Sequence, residues 1–128
     1  MQEQHLYEYA VIRVVPRVER EEFVNAGIIM FCKKTKHIGC SIYLNEQKLS
    51  CFDNEMDMEA IQQNLKAFEL IAVGNRQSSS PIAQMDAPSR FRWLTATRST
   101  VIQCSKVHPG LTADLELTRE KLMRDLVL

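Results

Sequence analysis

Residues 24–44, with the sequence VNAGIIMFCKKTKHIGCSIYL, decide the fold. Residues 24–32 and 37–44 are rich in β-branched and aromatic side chains, and the polar residues 33–36 separate them. Two such segments with a short polar connection predict an antiparallel β-hairpin. The hairpin supplies the second and third strands of a sheet.

Both faces of the first hairpin strand are apolar. One face holds Val24, Ala26, Ile28 and Met30, and the other holds Ile29 and Phe31. Side chains alternate between the two faces of a strand, so other elements must cover both sides of this sheet.

Two more strands are predicted outside the hairpin. Residues 7–15 (YEYAVIRVV) have the composition of a strand, which ends at Pro16 because proline cannot donate to a strand ladder. Residues 100–105 (TVIQCS) predict a fourth strand.

Helical segments follow the hairpin. Apolar residues recur at steps of three to four from residue 58 to 72, with Asp57 as a cap and Gly74 as a stop. Residues 115–128 predict a second amphipathic helix, and residues 89–96 predict a short one.

Length and composition agree with one domain. The chain has 128 residues, of which 45% are hydrophobic and 25% charged. One core fits this length better than two small ones. We therefore expect a single α+β domain over residues 1–128. Its sheet is small and mainly antiparallel, with about four strands, and two amphipathic helices pack on it.

Charge is unevenly distributed along a neutral chain. Residues 1–60 sum to −3 and residues 73–112 sum to +4, while the whole chain sums to zero. The basic segment predicts either an anion-binding surface or arginines that cover the sheet edge and pair within the molecule. The single tryptophan, Trp93, is expected in the core rather than stacked on a nucleic-acid base.

The four cysteines are Cys32, Cys40, Cys51 and Cys104. Their spacing is not that of zinc ligands, so no metal is expected. The predicted hairpin places Cys32 opposite His37 and Cys40 opposite Ile29, which leaves thiols rather than a disulfide. The scattered glycines form no phosphate-binding loop, and no cofactor is expected.

The amino-terminal residues MQEQH are polar, and no apolar run approaches the ~18 residues that span a bilayer. We therefore expect a cytoplasmic protein without membrane contact. Apolar side chains on both strand faces also allow a homodimer.

Arg13 is the most informative site candidate. Alternation places it on a strand face otherwise suited to burial, where a charge must be paired or must face a cavity. Glu21 or Glu22 would make it an internal ion pair. In the alternative, Arg13, Asn25 and Gly27 form the floor of a pocket.

A second polar group comprises Arg98, Ser99, Gln103 and His108. His108 precedes Pro-Gly, which predicts an accessible imidazole in a turn. It is a weak candidate for acid–base catalysis, because a lone histidine in a turn is usually structural. In an enzyme, Arg13 and Arg98 would clamp an anion while His108 exchanges a proton.

Several short sequence segments resemble the bacterial family called domain of unknown function 3037. They are residues 9–16 (YAVIRVVP), 22–29 (EFVNAGII), 92–94 (RWL), 97–99 (TRS), Gln103 and 108–112 (HPGLT). The family motifs match this sequence at Arg13, Pro16, Glu22, Asn25, Gly27, Trp93, Arg98, Ser99, Gln103 and His108. The resemblance implies no established activity, but it implies a companion of the HipA-type kinase-like proteins of bacteria.

We therefore expect an uncharacterised bacterial protein that binds or regulates a HipA-type kinase-like protein. Its anion-binding pocket is expected to be lined by Arg13, Asn25, Arg98, Ser99, Gln103 and His108. One alternative is an enzyme that acts on a phosphorylated or nucleotide-like substrate. Another is a nucleic-acid-binding module that uses the basic segment.

Overall fold

The structure is a computed structural model that describes residues 3–52, 55–74, 80–96 and 100–128. The strands are β1 (His5–Val14), β2 (Val24–Cys32), β3 (His37–Ile42), β4 (Ile102–Cys104) and β5 (His108–Thr112). The helices are α1 (Glu46–Ser50), α2 (Met58–Val73), α3 (Ala87–Thr95) and α4 (Leu115–Leu126). Short 3₁₀ turns lie at Val18–Arg20 and Pro81–Gln84. The fold is α+β, as the pattern predicted.

β1 lies at the centre of the sheet. The strand order is β3-β2-β1-β4, and β5 also pairs with β1; every pairing is antiparallel. One edge of β1 pairs with β2. The other edge pairs with β5 along residues 5–9 and with β4 along residues 12–14.

The predicted hairpin is confirmed in its register. Cys32 lies opposite His37 and Cys40 lies opposite Ile29. The four cysteines, all at described positions, are thiols.

The predicted helix limits follow from local capping. The Asp57 side chain accepts a hydrogen bond from the Ala60 amide at 3.1 Å and begins α2. Gly74 ends the helix with φ of 69°, a left-handed conformation that favours glycine. α3 begins at Ala87, two residues before the predicted start, because Asp86 caps it.

The prediction of a turn at His108-Pro109-Gly110 is wrong, since these residues belong to β5. Pro109 lies opposite Glu8 on a short strand at the sheet edge, where a proline is tolerated. Gly110 lies opposite Tyr7, and the Tyr7 ring fills the space that a Cβ at position 110 would need. Pairing with β1 therefore overrides the local turn signal, and the sheet has five strands in the described part of the chain.

Helices cover both faces of the sheet, as the apolar pattern required. The expected face of Val24 and Ala26 is wrong, however, because they pack with Ile29 and Phe31, and only Ile28 packs with the other cluster. The cause is the register shift between Ile12 and Arg13, which switches the faces of β2 at that point. On one face, α2 and α3 pack on a core that includes Ile12, Ile29, Leu65 and Phe91. On the other face, Met123 of α4 packs on Val11 and Ile28. Trp93 was expected in the core, but it is 38% exposed.

Ser105 lies between β4 and β5, the two short strands that pair with the same edge of β1. Its hydroxyl accepts a hydrogen bond from the Val11 amide at 2.8 Å and donates to the Lys106 carbonyl at 2.9 Å. The Ser105 amide donates to the Val11 carbonyl at 2.8 Å. Ser105 is 7% exposed. Ser105 therefore supplies hydrogen-bond partners to the Val11 backbone, which lies between the residues of β1 that pair with β5 and those that pair with β4.

Replacing Ser105 with alanine should lower the free energy of unfolding by about 1–3 kcal/mol, because the Val11 amide loses its buried acceptor. Chemical denaturation of the two proteins measures this difference. The exposed Ser50, whose hydroxyl donates to the Gln47 carbonyl, supplies the control Ser50→Ala, expected to change stability by less than about 0.5 kcal/mol. Equal losses of stability from the two substitutions would contradict the role of Ser105 as the acceptor of the Val11 amide.

Two strand glycines differ in what a side chain would meet. A Cβ at Gly27 would clash with the Ser41 backbone oxygen of β3, whereas a Cβ at Gly39 would meet the flexible Arg119 guanidinium. We therefore expect Gly27→Ala to lower stability by about 1–3 kcal/mol and Gly39→Ala to lower it less. Thermal unfolding of both variants tests this order. A larger loss for Gly39→Ala would contradict it.

Candidate functional site

Three polar residues lie in line across three adjacent strands. Arg13 on β1 is opposite Asn25 on β2 and opposite Gln103 on β4. Their neighbours on β1, Ile12 and Val14, are buried on the α2–α3 side, so the three side chains are on the α4 side. We call Gln103, Arg13 and Asn25 the polar row.

The Arg13 side chain stacks on an aromatic ring. Its Cζ lies 4.0 Å from the centroid of the Phe23 ring, which is 41% exposed. Its Nε is buried without a hydrogen-bond partner, whereas the terminal amino groups are not among the buried unpaired atoms. Arg13 as a residue is half-buried.

The expected alternative, an ion pair with Glu21 or Glu22, is not found among the described residues. Glu22 pairs instead with Arg20 at an exposed position. The Arg13 guanidinium consequently has no carboxylate partner among the described residues.

Asn25 connects the sheet to α4. Its Nδ2 donates a hydrogen bond to the Leu126 carbonyl at 2.9 Å, and its Oδ1 is buried without a partner. The carboxyl end of α4 therefore lies beside the polar row, where its partial negative charge favours a cation such as Arg13. Sequence reasoning missed this anchoring role because the contact joins residues 101 positions apart.

Gln103 stabilises the start of β4. Its Nε2 donates to the Thr100 carbonyl at 2.7 Å, which fixes the turn that leads into the strand. The same amino group carries a second proton that the Thr100 carbonyl does not use.

His108 lies away from the polar row. It is exposed and opposite Tyr9 on β1, with 5.4 Å between the two ring centroids. Tyr9 is four residues from Arg13, which is about 13 Å along an extended strand. His108 and Arg13 therefore do not meet at one small anion.

The remaining predicted residues have different outcomes. Arg98 and Ser99 lie outside the described residues. Gly27 lies opposite Ile12 and packs against the β3 backbone, so it is not part of the polar row. The structure thus brings together Arg13, Asn25 and Gln103.

Part of the basic segment is used within the molecule. Arg90 donates from Nη1 to the Met85 carbonyl at 2.6 Å, and its guanidinium packs against Gly74 at the end of α2. Arg92 and Lys106 are exposed. Arg90 therefore fits the interpretation that arginines of the basic segment make contacts within the molecule.

The family model described as "Protein of unknown function (DUF3037)" matches residues 9–127. The chain belongs to this family. The match covers the whole polar row. Neither a curated protein nor a solved structure matches the sequence.

This DUF3037 chain has no metal-binding cluster of three or more His, Cys, Asp or Glu side chains among its described residues. In the same part of the chain, no helix has the length and apolar character needed to cross a membrane.

Cys40 is a titratable group on the opposite side of the sheet from the polar row. It packs against the α2–α3 core. Burial raises the pKa of its thiol from 9.0 to about 12, and the negative charge of Glu69 acts in the same direction. The folded protein therefore holds this thiol protonated at a pH where an unfolded chain releases the proton.

Cys40 should make stability fall as the pH rises from 9 to about 12, because only the unfolded thiol ionises early in that window. Its contribution is fully present below pH 9. Melting temperatures of the wild type and of Cys40→Val measure the effect, and the variant should lose stability less steeply in this range. If the melting temperatures of the two proteins fell equally with pH, the raised pKa of Cys40 would be contradicted.

Proposed function

We propose that this protein is a binding protein that holds an anionic group of its partner with Arg13. The observation that carries the proposal is the half-buried Arg13, whose Nε has no hydrogen-bond partner and whose guanidinium has no carboxylate partner among the described residues. A partly buried arginine ordinarily requires such a partner. An incoming carboxylate or phosphate would supply it.

The Arg13 guanidinium itself suits a bidentate anion. A guanidinium donates two parallel hydrogen bonds to a carboxylate or phosphate. The Phe23 ring 4.0 Å away restrains the guanidinium plane, so less rotational freedom is lost on binding. The amides of Asn25 and Gln103 flank the site, and each has one amino proton not used by the Leu126 or Thr100 carbonyl.

The proposed partner is a HipA-type kinase-like protein, which the family resemblance implies. An acidic or phosphorylated side chain of that protein would dock on the polar row. Binding requires no catalytic residue in this chain. The separation of about 13 Å between Arg13 and His108 supports binding over an enzyme that uses both residues on one phosphorylated or nucleotide-like substrate.

Arg13→Lys should weaken binding at least about tenfold, because losing one charge-assisted hydrogen bond costs ~1.5–3 kcal/mol while the charge is kept. Titration calorimetry with a purified HipA-type kinase-like protein, and separately with inorganic phosphate, measures the affinity. Arg124→Lys is the matched control, because Arg124 is an exposed arginine on α4, 70% accessible. Its affinity should equal that of the wild type.

A purely structural Arg13 gives a different result. Arg13→Lys would then lower the melting temperature, and affinity corrected for the folded fraction would be unchanged. That outcome, or equal weakening by Arg124→Lys, would refute the proposed site.

A further inference from the structure

A second candidate site lies on the other face of the sheet. An open cavity of about 330 Å³ lies between α2, α3 and the β4 segment. Its walls include Phe68 and Ile71 from α2, Leu94 from α3 and Ile102 from β4. The volume falls within the ~300–1,000 Å³ of pockets that hold small molecules. Arg13 and Asn25 do not line this cavity, whereas Gln103 of the polar row does.

The charge of the walls restricts the occupant. None of the described residues that line the cavity is charged. An ion placed there would lose its hydration without gaining an opposite charge. The described walls therefore favour an uncharged ligand.

The polar groups in the walls restrict the occupant further. The Cys104 thiol donates to the Leu94 carbonyl at 3.4 Å, and the Gln103 amide donates to the Thr100 carbonyl at 2.7 Å. The Asn64 side chain is exposed at the rim and has no hydrogen bond to the described residues. One neutral hydrogen-bonding group on the ligand would be matched by this amide.

Two aromatic rings contribute to the walls of the cavity. They belong to Phe68 and Trp93, and Trp93 is 38% exposed. An aromatic ligand would cover part of this indole surface, and ring pairs gain energy beyond area burial. We propose that the cavity binds an uncharged, mainly apolar small molecule that carries an aromatic ring and one neutral hydrogen-bonding group.

N-phenyl-1-naphthylamine is a suitable probe, because it is neutral, aromatic and has one N–H group. Trp93 is the only tryptophan of the chain, so its emission reports on the cavity directly. Titration should quench Trp93 emission with saturation at one site. The anionic relative 8-anilinonaphthalene-1-sulfonate should bind at least about tenfold more weakly, because the walls supply no cation.

Matched variants on α2 locate the binding. Ala67 lines the cavity, and Ala67→Phe should weaken probe binding at least about tenfold by filling the space. Lys66 points to the opposite side of the helix, so Lys66→Phe adds the same ring away from the cavity and should leave affinity unchanged. Circular dichroism verifies that both variants fold.

Thiol protection tests the proposal without substitution. The probe should slow alkylation of Cys104, which lines the cavity, and should not slow alkylation of the exposed Cys51. No saturable binding by the wild type, equal affinities of the two α2 variants, or an unchanged alkylation rate of Cys104 would each overturn the proposal. Tighter binding of the anionic probe would also overturn it.

Discussion

Completion of the second edge of β1 is the constraint on which the structure depends. β1 is ten residues long, but β5 covers only its first half and β4 only three residues near its end. A buried backbone amide without a partner is costly. Ser105 removes that cost by bonding both backbone groups of Val11 between the two strands. A single buried serine therefore allows two short strands to act as one edge.

The candidate site is a consequence of this arrangement. β2 fixes Asn25 on one side of Arg13, and β4 fixes Gln103 on the other. The register between β1 and β2 shifts between Ile12 and Arg13, and this irregularity aligns Arg13 with Asn25. Asn25 in turn holds the last turn of α4. The same pairing places His108 beside Tyr9, at a distance from the polar row.

The sequence predicted correctly those features that depend on interactions between residues close in the chain. The caps at Asp57 and Gly74 and the hairpin register depend on residues close in sequence, and their predictions are confirmed. The proximity of Arg13 and Asn25 also followed from strands that are consecutive in the chain.

Long-range pairing decided the rest. β5 was predicted as a turn because Pro109 and Gly110 carry a strong local signal, whereas the β1 edge that overrides it lies about a hundred residues earlier in sequence. The hydrogen bond between Val11 and Ser105 spans 94 positions and has no sequence signature. The exposure of Trp93 depends on how α3 docks, which periodicity alone does not specify.

Nuclear magnetic resonance of the arginine Nε–Hε groups tests the central claim most directly, with Arg13→Lys used to assign the signal. The Arg13 Hε should exchange slowly with water, because Nε is buried without a partner. It should also shift when phosphate or the kinase-like protein is added, while the signal of the exposed Arg124 stays in place. An Arg13 signal that exchanges rapidly, or that does not move throughout both titrations, would contradict the account.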